Sequence, residues 1–183
     1  MAESLLEPSQ GSCLQARYLT LADADLLSTR LRNGDRNECL ALGYHPLTAL
    51  GFAAFKFYIG AARCDLSAAR AMAVTSSLRQ EISGAPYLVG AFGWDHQSVW
   101  SVWAPLSKAE GRSLMLETPR WCKWMSSTAL LKPLWNIVMA SNRPAIKWLE
   151  HSGCFTIDRS TPQVHGGQAF WPFVMKPIEE MPS

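Results

Sequence analysis

The chain has 183 residues, 17 of them basic and 15 acidic, for a formal net charge of +2. That length suits one domain with a sizeable core, and the near balance of charge excludes a global field for nucleic acid or anionic lipid. Five widely spaced cysteines with no CxxC pair, and four histidines with no i,i+4 spacing, argue against a zinc site or a disulfide framework.

Residues 1–13, MAESLLEPSQGSC, lack the basic start and apolar core of a secretory signal. They read as part of a flexible arm over 1–14, on a protein made in a reducing cytoplasm. A short strand follows near 15–19. Thr20 with Asp23 three residues on gives a capping box, and Leu21, Leu26, Leu27 and Leu31 give that helix an apolar side. A second short helix is expected over 35–42, ended by Gly43. A third runs from Pro46 to about Ile59, in an apolar stretch that Lys56 interrupts and that is too short to cross a bilayer.

Residues 60–68 are ambiguous. Strands are expected near 70–76, 85–94 and 98–103, the last two joined by a hairpin turn at Asp95-His96-Gln97. A helical region over 107–126 is expected to bend or split at Pro119, because a mid-helix proline removes a hydrogen bond and clashes backwards. Leu134 to Met139 is an apolar run of strand length. Asn142, Pro144 and Gly153 then punctuate a helix over 143–152, with Ala145, Ile146, Trp148 and Leu149 on its core-facing side. Strands near 154–158 and 168–175, separated by a loop with Gly166-Gly167, complete the order, and 177–183 is a tail. All eight tryptophans lie in the second half, which reads as an aromatic core around a sheet ahead of a ligand-stacking surface.

The segment from Leu134 to Phe155 is similar to the last βαβ-type unit of the GNAT N-acetyltransferase superfamily, with Asn142, Ala145 and Gly153 in place. Leu149 stands where the superfamily has a helical tyrosine, and Cys154 where it has a phenylalanine. Three longer motifs, RYLTLADADLLSTRLRNGDRNE, RSLMLETPRWCKWM and PLWNIVMASNRPAIKWLEHSGC with a terminal GGQAFWPFVM, resemble the internal virion protein A family of short-tailed phages. This resemblance spans roughly residues 15–175. It implies an α/β (α+β) fold, a mixed central sheet flanked by helices in one domain over 15–176. It also implies a virion-associated structural or assembly protein, made in the host cytoplasm and partnered by other phage virion proteins. A homo-oligomer stays open.

The superfamily's chemistry sets the site expectations. Its acetyl-CoA diphosphate rests on a glycine-rich loop and the next helix's N-terminus. Here Ala104 to Arg112 supplies one glycine, Gly111, two basic residues, and Pro105 with no N–H to give. Val102, Gly111, Arg112 and Asn142 are therefore weak cofactor candidates, and for Asn142 helix capping is favoured. Leu149 cannot donate the proton that the superfamily's tyrosine returns to the leaving thiolate. Glu117, Asp95 and His96 are base candidates by residue type alone, and for Asp95 and His96 a hairpin turn explains the pair better. Arg32, Asp35 and Glu38 form a polar cluster near the acceptor cleft or a salt-bridge network between helices. Trp121, Trp124 and Trp171 are the candidates for a partner surface.

The reading that results is a virion protein on degenerate acetyl-CoA machinery, a pseudoenzyme with no cofactor expected. An active N-acyltransferase using acetyl-CoA is the alternative. A CoA- or nucleotide-binding module without turnover is a second.

Overall fold

A computed structural model describes residues 6–62 and 69–178, with side chains for all of these except 56–62. The elements are β1 (Leu14–Tyr18), α1 (Leu21–Ser28), α2 (Asn33–Ala41), α3 (Pro46–Ala62), β2 (Ala69–Gln80), β3 (Pro86–Asp95), β4 (Ser98–Trp103) and α4 (Lys108–Thr128). They continue with β5 (Leu134–Met139), α5 (Arg143–His151), β6 (Phe155–Ile157), β7 (Gln163–His165) and β8 (Gln168–Met175). One sheet runs β1-β2-β3-β4-β5-β8-β6, with β7 also on β8. Every pairing is antiparallel except β4 with β5. The start of the expected arm, most of the ambiguous 60–68 stretch with Cys64, and the tail beyond 178 lie outside the described residues.

Strand alternation explains the layers. Small residues Ala71, Ala73 and Ala91 face α1 and α3, which lets those helices lie close to the sheet. Met72, Val74, Phe92 and Trp103 point the other way into the core beneath α4. Thr20 and Asp23 form the capping box at α1, with Arg17 bonding both carboxylate oxygens. A Cβ on Gly90 would stand 2.2 Å from the Trp103 ring, so glycine there makes room for the indole on the sheet.

Four expectations need correction. First, α4 runs unbroken through Pro119. The proline is exposed, and Leu114, Trp121, Cys122 and Met125 bury the helix's inner face on both sides of it. That packing outweighs the ~3 kcal/mol of an interior proline. Second, Trp121 and Trp124, proposed as a partner surface, are 3% and 2% exposed. Trp121 stacks on Phe92 at 4.7 Å between centroids. Third, Trp135, expected in the core beside Ile146 and Trp148, is 52% exposed, whereas Ile146 is buried and Trp148 half-buried. Fourth, a short strand, β7, precedes the Gly166-Gly167 turn. Of the arm, residues 6–13 lie against α4: Ser9 N–H donates to Glu117 Oε1 at 2.7 Å and Cys13 N–H to Ser113 Oγ at 3.1 Å. Trp171 is half-buried beneath the Arg159 guanidinium.

β4 and β5 meet at a single register pair, Ser98 with Trp135, where Trp135 N–H donates to Gln97 O at 2.7 Å. Asn136 Nδ2 donates to Val99 O just beyond that point. The strands then part, and the split positions the site.

Candidate active site

α2 lies across the open ends of the two parting strands. Asp35 and Glu38, three residues apart, share one face of this helix and reach opposite sides of the split. Asp35 Oδ2 accepts the Trp103 N–H of β4 at 2.7 Å, and Glu38 Oε1 accepts the Met139 N–H of β5 at 2.7 Å. Asp35 Oδ1 also takes Arg32 Nε at 2.9 Å and Asn142 Nδ2 at 3.0 Å. Arg32 N–H donates to Trp103 O at 2.9 Å. A Cβ on Gly34 would stand 2.4 Å from Asn142 Oδ1, so glycine lets α2 sit this close. Arg32, Asp35 and Glu38 thus converge as the sequence suggested. The structure adds that Asp35 is buried and that both carboxylates cap strand backbone.

Burial pushes the Glu38 carboxyl up to about 7, helped by the neighbouring Asp35 charge and opposed by the Met139 and Asn142 hydrogen bonds. A carboxyl so placed is partly ionised at neutral pH and suits proton transfer. Burial also pushes the neighbouring Cys39 thiol up to about 11, with Glu38 and Asp35 adding to it. A thiol held protonated is a poor nucleophile, which removes a covalent acyl-cysteine route at this position.

Asp35, Glu38 and Cys39 line a cleft of about 650 Å³. α2 and α3 wall one side with Leu42, Ala49, Phe52 and Ala53, Trp100, Val102 and Ile137 form the floor, and Ser101, Trp148 and Leu149 line the gap itself. Beneath α4 the space closes: Trp103, Trp121 and Trp148 leave about 20 Å³. Trp148 is fixed there by Nε1 donating to Thr118 Oγ1 at 2.8 Å.

Two observations bear on an acetyl-CoA. With the Trp103 N–H and C=O both turned away from β3, alternation turns the Ser101 N–H and C=O toward the gap as well. This edge, with Val102 and Leu149 beside it, fits an extended arm that carries amides. The diphosphate is another matter. Ser107 and Glu110 cap α4 reciprocally, at 3.2 and 2.8 Å, and Arg79 Nε bonds Glu110 Oε1 at 2.8 Å. Burial opposes ionisation of Glu110, but Ser107, Ser76 and Arg79 outweigh it and hold its pKa below the ordinary value. A carboxylate therefore occupies the first turn where the superfamily seats an anion, and the residues there do not fit a diphosphate.

Other sequence candidates fall elsewhere. Glu117 is 1% exposed on α4, bonded to Ser9 and facing away from the cleft. His96 is exposed in the β3–β4 turn at φ 53. Asp95 does line the cleft, at the end away from α2. Val102 is on the floor, while Gly111 and Arg112 lie in α4 outside it. Asn142 caps α5 through the Ala145 N–H, as favoured, and ties α5 to Asp35. Glu38 as the titrating group was missed. The available signal was its three-residue spacing from Asp35, but its burial arises only when α2 crosses the strand ends.

No family model and no curated protein matches the chain. Among solved structures, a spermidine N-acetyltransferase from Vibrio cholerae, in complex with CoA and spermine, is 16% identical. It aligns over 90% of this chain and 96% of its own, with a TM-score of 0.58. A ribosomal-protein-S5-alanine acetyltransferase from Vibrio fischeri is 12% identical over 93% of this chain and 97% of its own, also at 0.58. These neighbours are acetyltransferases, and that finding overturns the reading of the chain as a structural virion pseudoenzyme. The fold is that of the GNAT acetyltransferases, a mixed sheet flanked by helices in one domain.

Proposed function

We propose that this chain is an N-acyltransferase that moves an acyl group from a thioester to a primary amine held in the cleft beneath α2. One observation carries the reading: Glu38, with a pKa near neutrality, lines a cleft that opens into the β4–β5 split. The backbone of Ser101, with Val102 and Leu149, would hold the amide-bearing arm of an acetyl-CoA. When bound, that group supplies the activated acyl carbon.

The chain's own residues do the rest. A Glu38 carboxylate oxygen takes a proton from the ammonium form of the acceptor, and burial together with Asp35 raises its basicity for the task. The Met139 N–H and Asn142 fix the carboxylate, so it loses little freedom when it acts. Leu149 has no proton to give, so Glu38 is the lining group that would hold the proton a leaving thiolate needs. Leu149 and Trp148 give the gap an apolar lining.

A thiol-release assay with acetyl-CoA and a panel of primary amines tests this. Glu38→Gln is expected to lower kcat by roughly 10²–10⁴-fold and to abolish the limb of the pH–rate profile near 7. No turnover with any amine, or a fully active Glu38→Gln enzyme, would overturn the proposal.

A further inference from the structure

We propose that the outward face of α3 is the surface through which two copies of this chain associate, their α3 helices crossing near Gly51. The pairing stands whether or not the cleft is an acyltransferase site. Three features carry it.

The first is the face itself. Leu50 and Ala54 turn toward the sheet and are buried with Ala71 and Ala73. On the adjoining arc Leu47, Phe52 and Phe55 remain 41%, 58% and 49% exposed, and Gly51 falls among them at helical spacing. None of the side chains described in α3, over 46–55, is charged. A helix apolar on all sides is ordinarily buried on all sides, and the core of an interface is rich in aromatic side chains and poor in charge. An uncharged face also meets its own copy without like-charge repulsion, as a two-fold contact requires.

The second is Gly51. A Cβ there would meet nothing within 4 Å among the described residues, so no described contact calls for glycine, and a mid-helix glycine weakens a helix relative to alanine. Between Leu47, Phe52 and Phe55 the missing side chain leaves a notch into which a second helix can settle closely. On a two-fold axis the notch of one copy faces the notch of the other. The third is size. Tyr44, just before the helix, is 57% exposed, and with Phe52 and Phe55 it leaves roughly 100 Å² uncovered per ring. With Leu47 added, the patch approaches half of the about 800 Å² per partner of a standard interface. Tyr44 and Phe52 also line the cleft, so the second copy stands beside its mouth.

Sedimentation equilibrium of the full chain at roughly 1–100 µM is expected to give a mass about twice the 20.3 kDa of one chain. Phe55→Glu sets a charge on the face of each copy and is expected to raise the dissociation constant roughly 100-fold. Gly51→Leu fills the notch while favouring the helix. It is expected to keep its circular dichroism spectrum yet raise the dissociation constant about tenfold or more. A chain that stays monomeric throughout the range overturns the proposal, and capture of that monomer by phosphatidylcholine vesicles would assign the face to a lipid surface instead. A dimer or larger assembly that either folded variant forms as tightly as wild type also overturns it, because the copies then meet elsewhere.

Discussion

Glu38 is where the physics of folding and of the site meet. Its carboxyl keeps a proton up to about 7 in the folded chain, against an ordinary value of 4.5. Between those values the folded state binds more protons than the unfolded one, so Glu38 lowers stability as pH rises through that window, and the effect levels off above about 7. Glu38→Gln is therefore expected to gain stability relative to wild type at pH 8 compared with pH 5, measured by chemical denaturation. A difference that does not change between the two pH values would place the Glu38 carboxyl at an ordinary pKa. The sequence brought Arg32, Asp35 and Glu38 together as a polar group, because spacing along a helix is legible. It could not show which of them would titrate. That depends on the burial of Glu38 against the end of β5, distant in sequence, once α2 crosses the strand ends.

At the scale of elements, α4 shows most clearly where sequence reasoning stops. Its start at 107 was read correctly, but the capping box of Ser107 and Glu110 there, the same kind as at Thr20 and Asp23, was not singled out. Both boxes are local and so are written in a few adjacent residues. Whether Trp121 and Trp124 face a partner or the sheet is not local, and the structure decides for the sheet. Trp121→Ser with Trp124→Ser is accordingly expected to lower the melting temperature steeply, each truncation costing roughly 3–5 kcal/mol. A stable double variant would return these residues to the surface. β7 was missed for a different reason. The Gly166-Gly167 turn was visible, but the strand before it is short, and Val164 within it is 73% exposed, leaving no apolar alternation to read.

Across the whole molecule, the order of strands and helices was legible because apolar runs of strand length alternate with capped helical stretches. The parting of β4 and β5 beside their single register pair belongs to the fold and is written in no one residue. Hydrogen exchange offers a direct check. Trp103 and Met139 amides, bonded to buried carboxylates, are expected to exchange slowly, and the Ser101 amide, turned into the gap, faster than its neighbours Trp100 and Val102. Slow exchange at Ser101 in the free protein would mean that the gap is closed; slowing on addition of acetyl-CoA would locate the arm there. The split has one more consequence. Unpaired strand edges normally invite association between chains, and proteins blunt them with charge, proline or bulges. Here such an edge is turned inward at half-buried Ser101, screened by α2 on one face and by α4 and α5 on the other. The chain thus keeps the Ser101 N–H and C=O for a slender guest without offering a template there on which its own copies could aggregate.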